Sequence, residues 1–291
     1  MLLSFEIIID EEHVMNLNRF KQLMKKNKQI DSVSRIIAYP MFLGQYKKSD
    51  MEAEKRHKGY DDPRYHWIKQ LHNKFEGERC FVIATGPSLT MEDLNLIKSE
   101  YSFGMNSCVL AFDKTEWRPN FYAIQDEYVY EKLEECLVNA DENDLKEVWV
   151  SENVASKFKL PERFEIFPLH YLDHKMFHLS GYGKYKFSED CYSCIYDAYT
   201  ITFSIMQFVC YMGFKEIYLL GCDCNYNQKK GHFIEYGHKD PKASIMGDKM
   251  IQGHYEFKKF ADSIGVQVFN CTRGGMLEAY PRKELEEVVR R

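Results

Sequence analysis

Thr85, Gly86, Pro87 and Ser88 interrupt an apolar run in CFVIATGPSLTMEDL, residues 80–94, and a helical pattern follows at once. Gly86 permits a tight bend with close backbone approach. Pro87 fixes φ and donates no hydrogen bond. Thr90, with Asp93 after it, has the form of an N-cap in a capping box. Such a turn sets backbone N–H groups and the Ser88 hydroxyl beside a helix N-terminus, where anions are stabilised. The spacing is not the dinucleotide G-x-G-x-x-G fingerprint, and no Gly-Lys-Ser/Thr follows to make a P-loop. Four further apolar runs also end in polar groups. They are Asn106 in GMNSCVLAF, Gln125 and Asp126 in FYAIQDEY, Asp223, Asn225 and Tyr226 in LLGCDCNYNQ, and Asn270, Thr272 and Arg273 in FNCTRGG. An amide both donates and accepts, as recognition of a base edge or a ribose requires. Polar groups at successive strand ends point to a ligand-binding cleft.

The elements that must position these residues begin at Arg79. Apolar, β-rich runs appear at CFVIAT, YSFGMN, FYAIQD, EVWVSE, RFEIFPL, EIYLLGCD and VQVFNCT, with helical patterns near 91–99, 127–139, 200–212, 248–264 and 282–290. Strands alternating with helices predict an α/β fold, a Rossmann-like, mostly parallel sheet flanked by helices. In such sheets ligands bind at the carboxyl ends of the strands, where the strand order reverses. The expected organisation is a helical N-terminal extension over 1–75 and a Rossmann-like ligand-binding domain over 76–291. Within the extension, Leu17, Phe20, Leu23 and Met24 recur at helical spacing, and GYDDPRYHWIKQLHNKFEG carries a second short helix into the main domain. The Leu17–Met24 stripe needs a cover, and a second subunit is the favoured one, so a homo-oligomer is expected. Lys25, Lys26 and Lys28 lie near the end of that first helix, where cations suit its dipole.

Bulk properties narrow the function classes. Lysine and arginine number 39 against 44 acidic residues, a formal charge of −5, which argues against a general nucleic-acid binder. The opening MLLSFEIIID is too short for a signal h-region and carries Glu6 and Asp10. No apolar run approaches the roughly 20 residues of a membrane span. With nine cysteines, an odd number, the chain reads as cytoplasmic with mostly free thiols, its only membrane contact peripheral, at the inner face.

FVIATGPSL, then GMNS, then YTITFSIMQFVCYMGFKEIYLLGCDCNY resemble two related groups. One is the family 42 bacterial sialyltransferases, with a GT-A-like variant fold and CMP-activated sialic acid as donor. The other is the domain-of-unknown-function 115 group, with flagellin-modifying nonulosonate transferases and hydroxymethylpterin diphosphokinases. KKFADSIGVQVFNCTRGGMLEAYPR looks more like the second, and the resemblance spans about residues 76–284. It implies donor contacts at Gly86, Pro87 and Ser88. Thr85 stands where the sialyltransferases have a nucleotide-touching Asn, Asn106 matches an Asn that binds the nucleoside, and Gln125 falls where they use another Asn. Thr200 and Thr202 open a helix whose start faces the sugar or phosphate, and Tyr226 lies where a Tyr contacts the CMP phosphate.

The implied activity is inverting transfer of a sugar, such as a sialic or other nonulosonic acid, from a nucleotide donor to a glycan acceptor. That needs a base for the acceptor hydroxyl, and histidine suits the task near neutral pH. The loop 224–247 offers two: His238, in EYGH, echoes the sialyltransferase Tyr-Ile-Gly-His, and His232, in GHF, matches the landmark of the second group. The loop's glycines suggest a mobile lid. His254 sits inside a predicted helix and reads as packing. Tyr226, Tyr236 and Arg273 could neutralise the leaving phosphate; Arg273 could instead grip a donor carboxylate or form a salt bridge with Glu278 or a neighbouring acid. No metal or cofactor is expected, since DCN at 223–225 has one carboxylate where Mn²⁺-dependent enzymes show Asp-x-Asp. The alternative, a diphosphokinase, would need Mg²⁺, with Asp126, Glu127 and Asp223 as oxygen ligands. A zinc site at Cys191, Cys194, Cys222 and Cys224 with His232 has unusual spacing. A further alternative is a non-catalytic nucleotide or glycan binding module.

Overall fold

A computed structural model describes residues 28–170, 185–225, 231–237 and 243–290, with side chains described from residue 43 in the first stretch and from 246 in the last. The expected apolar stripe at Leu17–Met24 lies outside the described residues.

All seven predicted strands form, and they join one parallel sheet. β1 (Arg79–Ile83), β2 (Ser102–Met105), β3 (Phe121–Ile124), β4 (Val148–Ser151) and β5 (Phe164–Phe167) precede β8 (Glu216–Leu220) and β9 (Gln267–Asn270). Their spatial order is β5-β4-β3-β2-β1-β8-β9. A small parallel pair, β6 (Leu169–His170) with β7 (Ile195–Tyr196), stands apart. Strands of two residues carry no alternation, so this pair has no periodic signature in the chain.

The main strands are covered on both faces, so they read as continuous apolar runs. Along β1, Cys80 and Val82 enter one core, while Phe81 and Ile83 enter the other. Ile217 and Leu219 of β8 follow the first, Tyr218 and Leu220 the second. Helices α3 (Met91–Leu96), α4 (Glu127–Val138), α5 (Glu152–Ala155) and α8 (Leu285–Val289) contribute to the second core. Helices α6 (Ile201–Tyr211) and α7 (Ala243–Ser263) cover the first. α6 is buried almost all round, the mark of a central helix rather than an amphipathic one.

The described part of the extension is helical. α1 runs over Lys28–His57, and a 3-10 turn at Pro63–Tyr65 leads into α2 (His66–Lys69). Tyr65, Ile68 and Leu71 are buried in the first core. Trp67 lies 4.7 Å from Trp149, ring to ring, and donates to the Ile166 carbonyl at 3.0 Å. This stretch is therefore knit into the sheet domain. Among the described residues no helix is long and apolar enough to cross a membrane.

Candidate functional site

β1 is bracketed by β2 and β8, so the chain builds outward from β1 in one direction and later resumes on its other side. The loops after β1 and β8 diverge there and open a crevice at the carboxyl edge of the sheet. The Thr85–Ser88 turn lies in it. The Gly86 N–H donates to the Gly221 carbonyl at 2.9 Å, and a Cβ on Gly86 would stand 2.0 Å from Asp223 Oδ2. Ser88 donates its hydroxyl to that same oxygen at 2.7 Å and its N–H at 3.4 Å. Asp223 is buried, and burial raises its carboxyl pKa against the opposing pull of the Ser88 hydrogen bonds.

The capping box is present: Thr90 Oγ1 accepts from the Asp93 N–H and Asp93 Oδ2 from the Thr90 N–H, both at 3.1 Å. The other Asp93 oxygen takes Arg273 Nε and Nη2 at 3.1 and 2.8 Å, and Arg273 also reaches Glu286 at 2.7 Å. This differs from the expected anion cradle. The N–H groups of Gly86, Ser88 and Thr90 all have protein acceptors, and a buried carboxylate occupies the first turn of α3. The turn thus braces the crevice. Pro87, which has no N–H, adds no donor to it. Arg273 is held by two acids from other elements, while Glu278 pairs with Arg282. Asn270 and Thr272 knit the same corner, through Nδ2 to the Leu277 carbonyl at 2.7 Å and from the Cys222 N–H to Thr272 Oγ1 at 2.9 Å.

Residues 231–237 lie over this edge. The Phe233 N–H donates to the Thr85 carbonyl at 3.0 Å, and the Phe233 side chain is buried. That contact places His232 Nδ1 3.4 Å from Thr85 Oγ1, with its ring 5.1 Å from that of Tyr236. Burial first, then the charges of Asp126 and Glu235, raise the Tyr236 phenol pKa, so the hydroxyl stays protonated near neutral pH. The described piece of the expected lid is docked on β1. His238 and Tyr226 lie outside the described residues.

The neighbouring strand ends contribute amides. Asn106 follows β2 in the left-handed region, at φ 48°, a conformation asparagine tolerates; its carbonyl accepts the Tyr122 hydroxyl. Gln125 Oε1 accepts the Ser204 hydroxyl at 2.6 Å, which ties β3 to α6. Asp126 caps α4, its Oδ1 accepting from the N–H groups of Tyr128 and Val129 at 2.9 and 3.0 Å. Thr200 caps α6 through the Thr202 N–H at 3.3 Å, and Thr202, buried, points its hydroxyl at Met105 Sδ at 3.7 Å. Ahead of that cap, Ala198 and Tyr199 hold φ of 37° and 75°, a strained approach to a helix start. Gln125 and Asp126 also open into a cavity of about 730 Å³ between these strand ends and α1.

His254 is 1 % exposed, with Nδ1 3.0 Å from the Tyr280 hydroxyl, and burial pushes its pKa down to about 3. It packs on Phe203 at 4.6 Å, the role expected from its place in a helix. All nine cysteines are free thiols. Burial pushes Cys194 and Cys224 up to about 12, as for thiols packed in a core. Among the described residues no group of three His, Cys, Asp or Glu side chains is arranged to hold a metal ion. Sequence reasoning allowed Arg273 a salt bridge but did not identify Asp93 and Glu286 as its partners, and it missed the whole α1 wall of the cavity. The capping box pointed to Asp93; nothing marked Arg56 or Glu152.

A model of the 6-hydroxymethylpterin diphosphokinase MptE-like family matches residues 58–229, more than half of the chain. No curated protein matches the sequence. Among solved structures, the Maf glycosyltransferase from Magnetospirillum magneticum AMB-1 is similar at 15 % identity and a TM-score of 0.44, over 77 % of this chain and 38 % of that one. The chain thus spans well under half the length of that protein.

Proposed function

The chain belongs to the 6-hydroxymethylpterin diphosphokinase MptE-like family, and on that premise we propose that it transfers a group from a nucleotide-activated donor to an acceptor hydroxyl at the β1–β8 crevice. The reading we favour is glycosyl transfer, with inversion, from a nucleotide sugar of the CMP type. The observation that carries it is the imidazole of His232, 3.4 Å from Thr85 at the switch point, where a base can meet a bound donor. His232 would take the acceptor proton, the freed oxygen would attack the anomeric carbon, and the bond to phosphate would break with its electron pair on the leaving nucleotide. Asn106 and the Gln125 amide nitrogen would hold the nucleoside. Tyr236, kept protonated by burial and nearby acids, would donate to the leaving phosphate.

A second reading, favoured by the family match, is diphosphoryl transfer from ATP to a pterin-type alcohol. His232 would have the same duty. Magnesium would travel with the ATP, neutralising charge on its phosphates. Asp126 fits as an oxygen donor, since both its cap bonds use Oδ1. Glu127 is engaged by Lys157, and Asp223 by Ser88.

Thermal shift with CMP, UDP, GDP and ATP, each with and without Mg²⁺, separates the readings, because a ligand that binds only the folded state raises its melting temperature. Stabilisation by CMP or UDP without metal supports glycosyl transfer. Stabilisation by ATP only with Mg²⁺ supports the diphosphokinase. No shift with any of them overturns both.

A further inference from the structure

The cavity of about 730 Å³ beside Gln125 and Asp126 has the size of a small-molecule site. Its far wall is α1, which contributes Gln45, Lys48, Ser49, Glu52 and Arg56. Four cationic and four carboxylate side chains line it, but their internal pairing is uneven. The acids are engaged. Glu52 accepts from Lys55 at 2.9 Å, Glu127 pairs with Lys157, Glu152 accepts the Tyr65 hydroxyl at 2.8 Å, and Asp126 caps α4. Of the cations, Lys157 is matched by Glu127, and Arg64 is matched by Asp62 outside the cavity at 2.6 Å.

Arg56 is different. It is 7 % exposed, yet its hydrogen bond runs from Nε to the Ser193 carbonyl at 2.8 Å. Its guanidinium also lies over the Tyr65 ring at 5.2 Å. Among the described residues no carboxylate stands within ion-pair distance of it and its two Nη groups have no acceptor, while Glu52 and Asp62 feel its charge from farther off. Lys48, exposed at the rim, makes no ion pair among them, and its charge acts on Glu52. A buried cation left unpaired is costly, and a guanidinium fork anchored at Nε presents two parallel N–H donors suited to a planar or tetrahedral anion. The neutral hydrogen-bonding groups around it, Ser49, Asn153 and Ser156, suit hydroxyls.

We propose that this cavity binds a second ligand, a polyhydroxylated small molecule bearing one carboxylate or one phosphomonoester, with its anionic group on the Arg56 guanidinium. That this ligand is the acceptor of the transfer rests on the reaction proposed above; the anion selectivity of the cavity does not. One buried guanidinium without an ion pair among the described residues matches one such group. A more densely charged ligand would be repelled by the four carboxylates in the wall.

Calorimetry on the full chain with glucuronate, glucose 6-phosphate and glucose tests this. Either anionic sugar should bind at least roughly tenfold more tightly than glucose, the scale of a charge-assisted pair. Preference for glucuronate identifies a carboxylate ligand, and preference for glucose 6-phosphate a phosphomonoester. Arg56→Gln should abolish the preference. Arg56→Lys, which keeps charge but loses the fork, should weaken it. If Arg56→Gln does not fold, Arg56→Lys decides, and wild-type affinity in it overturns the proposal. Equal binding of all three sugars, or none, also overturns it. CMP and ATP are titrated in parallel: anion binding without nucleotide binding sinks the transfer reading and leaves this site standing.

Discussion

His254→Gln should flatten the acid side of the stability profile. In the fold His254 is 1 % exposed on α7, and burial brings its pKa from 6.5 to about 3. The folded state therefore holds the imidazole neutral, while the unfolded chain takes up a proton below its ordinary value. The stabilisation is complete above pH 6.5 and drains away as pH falls toward the folded value. Each unit of that gap is worth about 1.4 kcal/mol, so about 2 kcal/mol is lost between pH 7.5 and 5, and about 4 kcal/mol by pH 3. Glutamine can still bond the Tyr280 hydroxyl, which lies 3.0 Å from Nδ1, but does not titrate. Its packing cost is the same at every pH, so the difference between the two curves isolates the proton. Urea unfolding at pH 7.5, 6 and 5 provides the assay. The wild type should lose about 2 kcal/mol more than the variant across that range. Parallel curves would mean that His254 is hydrated or mobile enough to protonate in place, and the packing account would fail.

Three further expectations bear on the crevice. Gly86→Ala drives a Cβ to 2.0 Å from Asp223 Oδ2 and 2.4 Å from the Gly221 carbonyl; it should cost about 1–3 kcal/mol, whereas Gly44→Ala on α1, with open space around it, should be neutral or stabilising in the same thermal melt. Asn106→Gly keeps the left-handed φ without strain and removes the amide, so nucleotide affinity in calorimetry should fall by about 1–3 kcal/mol with the fold intact; unchanged affinity removes Asn106 from the site. His232→Ala should slow transfer roughly 10²–10⁴-fold while leaving nucleotide binding in place; a near-normal rate moves the base elsewhere, to His238 first.

The strands were legible because a sheet covered on both faces writes itself as apolar runs, and every one of VIA, FGM, YAI, VWV and YLL forms a strand or ends one. The crevice was legible because the turn chemistry at Gly86 and the cap at Thr90 are local. What those groups bind was not legible. Ser88 and Asp223 stand 135 positions apart, and Arg273 meets Asp93 across 180, so no window of sequence shows that each polar group is partnered with another. Asp126 read as a ligand-facing acid, and nothing local showed that one of its oxygens also caps α4. The α1 wall escaped notice for a related reason: its charged face is what any solvated helix shows until a cavity is built against it.

The place of β1 has a consequence for the birth of the molecule. It is an inner strand, but the neighbour on its far side, β8, begins about 130 residues later in the chain. At ribosomal rates of roughly 5–20 residues per second, an emerging chain with β1 to β5 paired would carry β1 as a bare edge for roughly 2–10 seconds while the residues between Phe167 and Glu216 are made. That edge is Arg79–Ile83, apolar and unguarded by proline, the kind of strand that recruits stray partners. Truncations ending before Glu216 should therefore be poorly soluble, and those reaching past Asn270 should recover. The crevice becomes complete only once synthesis has passed β9.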